Sequence, residues 1–129
     1  MIEVYTDAAT NGNPGLSGAG IVTKYDGIIQ EYSIALGTLT NHEAEFYAVY
    51  EALKICNELY PGEILSFYSD SQLVVDAIEK QFVKNTSYQM ILQTILNLSA
   101  DFPYFFIKWI PGRKNKADQL AKQAIHLNT

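Results

Sequence analysis

The hydrophobic period of this chain changes near residue 40, and that change constrains the fold more than any other feature. Before it, apolar residues come in short runs separated by turn signals: Ile2-Glu3-Val4-Tyr5-Thr6, then Gly18 to Thr23, then Ile28 to Ala35. Asn11-Gly12-Asn13-Pro14-Gly15 reads as a turn after the first run, and Asp26-Gly27 between the second and third is a strong hairpin signal. After it, residues 41–59 carry helical spacing, with Ala48, Val49, Ala52, Ile55, Cys56 and Leu59 on one stripe. The stretch ends at Pro61-Gly62. From there strands and helices alternate. Ile64 to Ser69 reads as a strand and residues 72–79 as a short helix. A second helix follows the polar break Lys84-Asn85, opened by the capping box Thr86-Ser87-Tyr88-Gln89. Tyr104 to Ile110 reads as a strand, Pro111-Gly112 as its end, and a last helix opens at Asn115-Lys116-Ala117-Asp118. Helical crossovers between the later strands imply an α/β fold whose mixed sheet has a parallel part.

Four acids fall at chosen places in this order. Asp7 closes the first strand and Asp70 the fourth, so two parallel neighbours would bring both to the crevice where open α/β sheets bind ligands. A lone Asp after a strand also serves as a turn or cap residue. Glu45 falls on the apolar stripe of the long helix, where a carboxylate is costly unless something positive or hydrogen-bonding meets it. Glu43, by contrast, suits the capping box Thr40-Asn41-His42-Glu43. Asp118 lies in the first turn of the last helix, where the dipole favours any acid, and it draws weight from the other three. Carboxylates aimed inward from four elements point to a metal site, and without metal their mutual repulsion predicts a raised pKa for at least one of them. Oxygen-only ligands suit Mg²⁺ or Mn²⁺, whereas zinc would call for His or Cys, of which there are only His42, His126 and Cys56.

With 129 residues and 48% hydrophobic composition, the chain suits one compact domain, 1–129, able to bury roughly two-thirds of its unfolded surface. One cysteine excludes an intrachain disulfide, and the absence of a signal-type start or bilayer-length apolar run leads us to expect a cytoplasmic protein with no membrane association. The net charge of -5 hides an asymmetry: residues 1–79 hold twelve acids against Lys24 and Lys54, while residues 80–129 hold seven bases against Asp101 and Asp118. Lys108, Arg113, Lys114, Lys116 and Lys122 gather around the last strand, loop and helix. A basic patch beside an acidic cluster suits phosphate-backbone chemistry; ordinary surface lysines are the plain alternative.

Four strings carry a resemblance: Tyr5-Thr6-Asp7 with its Asn-Gly-Asn-Pro-Gly turn, Thr40-Asn41-His42-Glu43-Ala44-Glu45, Ser69-Asp70-Ser71-Gln72, and Trp109-Ile110-Pro111-Gly112 leading to Asn115-Lys116-Ala117-Asp118. In this order and over essentially the whole length, the chain resembles the type 1 ribonuclease H family. The resemblance implies a ribonuclease H-like fold, a five-stranded mixed sheet of order 3-2-1-4-5. It implies an RNA/DNA hybrid duplex as partner and Mg²⁺-dependent endonucleolytic cleavage of its RNA strand. It also implies that Asp7, Glu45, Asp70 and Asp118 are catalytic and hold two metal ions. Such a pair of hard cations, about 4 Å apart, activates water and stabilises both the phosphate and its leaving oxygen. Asn13, Asn41 and Gln72 are then candidates for minor-groove contacts, Thr40 for a phosphate of the DNA strand, and Arg113 for steadying phosphate. Each has a cap or turn reading beside the functional one. No obligate protein partner is expected.

Three departures from that family's pattern stand out. His42 occupies a position where many members have Asn. The loop before Asp118 carries Arg113 and lysines in place of an assisting His, which implies slower turnover. The basic protrusion of some bacterial members is shortened to Gln81-Phe82-Val83-Lys84-Asn85, leaving Lys80 and Lys84 as its grip and implying weak, salt-sensitive binding. Two other readings remain open: a non-catalytic or weakly active hybrid-binding module, and a nuclease of the same superfamily acting on another duplex.

Overall fold

The computed structural model describes residues 1–128. Three long strands come first, β1 (Ile2–Gly12), β2 (Gly15–Tyr25) and β3 (Ile28–Leu39), then helix α1 (Asn41–Leu59). Strand β4 (Leu65–Ser69), helices α2 (Gln72–Lys80) and α3 (Gln89–Ser99), strand β5 (Phe105–Trp109) and helix α4 (Asp118–Ile125) complete the order. The five strands form one mixed sheet, β3-β2-β1-β4-β5. β1 pairs antiparallel with β2, and the β1–β4 and β4–β5 pairs are parallel.

One sheet face supports the core. Ile2 and Val4 of β1, Leu65 and Phe67 of β4 and Ile107 of β5 point to it, and α1, α2 and α3 cover it with Phe46, Val49, Leu53, Val74 and Ile95. The stripe read for α1 is therefore shifted: Phe46 and Leu53 are fully buried while Leu59, at the helix end, is half exposed. On the opposite face α4 packs across β1, β2 and β3. Its close approach depends on Gly18 and Gly20. A Cβ at Gly18 would meet Ala124 Cβ at 2.5 Å, and one at Gly20 would overlap the Ala117 carbonyl oxygen.

Several element boundaries depart from the sequence reading. Asp7 lies within β1 and does not close it, because the antiparallel ladder with β2 runs on from Asp7↔Gly20 to Gly12↔Gly15. The parallel ladder with β4 does stop beside it, at Tyr5↔Tyr68. Ala8 and Ala9 lack the apolar alternation that marks a strand, and their pairing with β2 supplies what the pattern omits. The capping box at Thr86 is absent: Asn85 caps a short 3₁₀ turn through Ser87, and the Gln89 amide group bonds the Val83 carbonyl. Asn115 likewise precedes α4 and does not begin it.

Candidate active site

The site forms where β1 outlasts β4. Asp7 continues along β1 beside the point where β4 turns into α2, and Asp70 occupies that turn. Glu45 comes from the second turn of α1, which is fixed by a complete capping box. The Glu43 amide donates to Thr40 Oγ1 at 3.3 Å and the Thr40 amide to Glu43 Oε1 at 2.9 Å. The separate jobs read for the two glutamates are thus realised: one secures the helix start and the other faces inward. One carboxylate oxygen from each of Asp7, Glu45 and Asp70 lies within 4.8 Å of the others.

Asp118 stands slightly apart as the first residue of α4. It acts on Asp7 and Asp70 electrostatically, and its Oδ2 pairs with Lys122 at 3.1 Å across one helical turn. That exposed pair is worth little in stability.

The predicted repulsion is present. Burial, followed by the charge of Asp70, pushes Asp7 up to about 7 against a partial offset from the Ala8 amide, which donates to Asp7 Oδ1 at 2.9 Å. Glu45 is raised well above the usual carboxylate range, first by burial and then by Asp7 and Asp70. Asp70 is raised by burial and by Asp118, with hydrogen bonds from Asp7 and Asn115 pulling the other way. Such close carboxylates titrate as a group, not singly.

The residues fit a hard divalent cation. Glu45 Oε2 is buried and has no hydrogen-bond partner, an arrangement that costs free energy unless a cation or proton meets it. All the donors are oxygens, which suits Mg²⁺ or Mn²⁺ and not zinc. Gly112 leaves the approach open, since a Cβ there would stand 3.0 Å from Asp70 Oδ2.

A cleft of about 480 Å³ opens beside the carboxylates, lined by Ala8, Thr10, Asn41, His42, Glu45, Asp70, Ser71, Gln72 and Leu73. Of the residues read as substrate contacts, Asn41 and Gln72 line it. Asn13, at the β1–β2 turn, accepts the Asn41 amide proton on its Oδ1 at 3.0 Å, and Thr10 Oγ1 donates to Asn41 Oδ1. Gln72 is tied along α2 to Asp76 at 2.8 Å. Thr40 is engaged as the α1 cap, and Arg113 is exposed on the 3₁₀ turn Gly112–Lys114, outside the cleft lining.

The sequence reading missed the part played by Asn115. Buried between β1 and α4, its Nδ2 donates to the Thr6 carbonyl at 2.8 Å while its Oδ1 accepts from the Ala117 amide at 3.1 Å. One side chain thus ties the start of α4, and with it Asp118, to the backbone beside Asp7. An Asn three residues before the helix was the available signal.

Comparison with known proteins bears on the family and the fold. The sequence profile of the RNase H family matches residues 1–126. The protein EbsB of Enterococcus faecalis, provisionally named a hydrolase, is 47% identical over 128 residues, covering 97% of this chain and 94% of its own. Ribonuclease H of Chlorobium luteolum is 32% identical over 142 residues, covering 96% and 94%. Among solved structures, LC11-RNase H1 in complex with an RNA/DNA hybrid superposes with a TM-score of 0.90 at 28% identity, over 98% of each chain. RNase H1 of the halophilic archaeon Halobacterium salinarum gives 0.89 at 29% identity, over 97% of each.

Proposed function

The chain belongs to the RNase H family, and from that premise we propose that it is a metal-dependent endonuclease that hydrolyses the RNA strand of RNA/DNA hybrids. The observation that carries this reading is the convergence of Asp7, Glu45 and Asp70 oxygens within 4.8 Å, with one Glu45 oxygen buried and unpartnered. The similar LC11 enzyme, solved with a hybrid, supports the choice of substrate.

In this reading Asp7, Glu45 and Asp70 hold Mg²⁺, with Mn²⁺ able to replace it, and Asp118 joins Asp7 in completing a second site. Bound there, the cations supply a nucleophilic water at neutral pH and neutralise charge developing on the phosphate and leaving oxygen. The chain itself positions the duplex. Asn41 and Gln72, at the starts of α1 and α2, present amide groups to the cleft, where they can bond the 2'-hydroxyls and base edges of a wide minor groove. Asn13 fixes the Asn41 backbone and extends the polar rim to the β1–β2 turn. Thr40 and Arg113 take phosphates, the first with its α1 amides and the second as an exposed guanidinium that steadies charge without exchanging a proton. His42 lines the same cleft and can donate where Asn does in other members.

The whole of 1–129 then acts as one catalytic domain. None of the described helices is long and apolar enough to cross a membrane. The single thiol, Cys56, is buried and raised to about 12, an inert state that suits the reducing cytoplasm in which we place the activity.

Labelled RNA/DNA, RNA/RNA and DNA/DNA duplexes incubated side by side with Mg²⁺ test the proposal. Cleavage confined to the RNA of the hybrid is expected. Cleavage of DNA/DNA would identify a nuclease for another duplex, and hybrid binding without cleavage would identify a binding module; either result overturns the proposal.

A further inference from the structure

Helices α1, α2 and α3 pack on the core-facing side of the sheet, whereas on the opposite side α4 packs over β1, β2 and β3. Strands β4 and β5 keep that second face open. Four aromatic residues stand on it in two stacked pairs. Tyr5 and Tyr68 are adjacent in the β1–β4 register, their rings 4.9 Å apart and 20° from parallel. Tyr104, just before β5, and Phe106 within it stack at 6.1 Å and 5°. The second pair is 61% and 56% exposed, more than a core residue or a lone surface aromatic needs to be. Phe106 is in register with Ser66, and Lys108 with Tyr68, so β5 and β4 turn the same alternate residues outward.

Cations frame these rings. Lys108 follows Phe106 on the same face, and Lys116 Nζ sits 5.1 Å from the centre of the Tyr5 ring. Glu3 is an acid on this face, and it is paired in register with the exposed Lys24 of β2. Aromatic rings interleaved with lysines on an open sheet are the physical requirements for holding unpaired bases by stacking and their phosphates by charge. The surface adjoins the cleft: Lys116 belongs to the loop between β5 and α4 that also carries Asn115, and Lys108 lies at the β5 end nearest Asp70.

We propose that the open β4–β5 face, through Tyr104, Phe106, Tyr68 and Tyr5 with Lys108 and Lys116, is a second nucleic-acid site that binds single strands without sequence preference. A duplex cannot present its base faces to these rings, so the site selects unpaired chain, such as the strand running out of a hybrid. The charge balance of the face opposes an acidic peptide less than a basic one, and the exposed ring surface is what favours a nucleic acid over either.

Fluorescence anisotropy with a labelled oligo-dT or oligo-U of fifteen nucleotides, in EDTA to prevent cleavage, tests this. The wild type is expected to bind, with affinity falling as salt rises. The double variant Tyr104→Ala/Phe106→Ala is expected to bind about tenfold or more weakly, since stacked bases contribute at that scale. Lys108→Gln is expected to weaken binding and flatten the salt dependence. Both sets of changes lie on exposed positions, and circular dichroism checks that the variants fold. Hybrid cleavage by the double variant with Mg²⁺ is expected to stay within a factor of about two, which separates this site from the cleft. Absence of single-strand binding by the wild type, equal binding by the double variant, or self-association that hides the face would each overturn the proposal. None of these outcomes depends on whether the hybrid is cleaved.

Discussion

Asp7 is held under strong electrostatic tension. It is almost fully buried, it shares its surroundings with Glu45 and Asp70, and its one backbone donor is the Ala8 amide. Its value of about 7 exceeds the ordinary 3.8, so between those two pH values the folded protein holds a proton that the unfolded chain has already lost. Stability contributed by the cluster is therefore fully present below about pH 4 and falls as pH rises toward 7. Divalent cations reverse the trend, because they bind the deprotonated form and stabilise the folded state by mass action. Thermal melting of the metal-free protein should show a Tm that falls from pH 5 to pH 8. Addition of Mg²⁺ should raise Tm more at pH 8 than at pH 5. A magnesium effect that is equal at both values would mean that the carboxylates are not where the ion binds.

Helix α4 has to lie close against β2 for Asp118 to reach the cluster, and two small residues and one amide side chain permit it. Gly18 and Gly20 remove the Cβ atoms that would meet Ala124 and the Ala117 carbonyl, and Asn115 bonds the helix start to Thr6. Gly20→Ala is expected to cost roughly 1–3 kcal/mol, the usual penalty for overpacking. It should also lower cleavage by displacing Asp118. Chemical denaturation and a hybrid assay together check this, and an unchanged midpoint would show that α4 adjusts freely. The elements themselves were legible in the sequence because period and turn chemistry agreed: the Asp26-Gly27 hairpin and the Thr40 capping box each occur where read. What escaped notice was tertiary. Residues 8–12 extend β1 because β2 pairs with them, and Thr86 lost its box because the Gln89 side chain found a carbonyl at Val83. Asn115 read as part of a helix start because its two partners are set by packing, which a local pattern does not encode.

At the scale of the whole chain, acids and bases are unevenly distributed. The acids gather at the cluster and along the first half of the chain, and the bases collect on the last strand, loop and helix and at Lys80 and Lys84. The basic surface is small. Hybrid binding should therefore weaken steeply with salt, and cleavage at several hundred millimolar salt should be far below that at low salt. Equal efficiency at both would show that groove contacts, not phosphate charge, hold the duplex. Three of the four carboxylates could be placed from sequence, Asp7 and Asp70 by the apolar runs before them and Glu45 by the helical stripe it falls on, and the structure brings their oxygens within 4.8 Å. The fourth, Asp118, lies close enough to act on Asp7 and Asp70, while its position depends on α4 packing.

The most direct test of the central claim is hybrid cleavage with Mg²⁺ by the wild type and by Asp70→Asn, each shown by circular dichroism to be folded. The Asn side chain keeps the shape and removes the charge that binds the ion. Cleavage by the wild type, its loss on adding EDTA, and a fall of several orders of magnitude in the variant are expected. Equal rates in the two proteins would contradict the account, because the carboxylate cluster would then have no part in the chemistry.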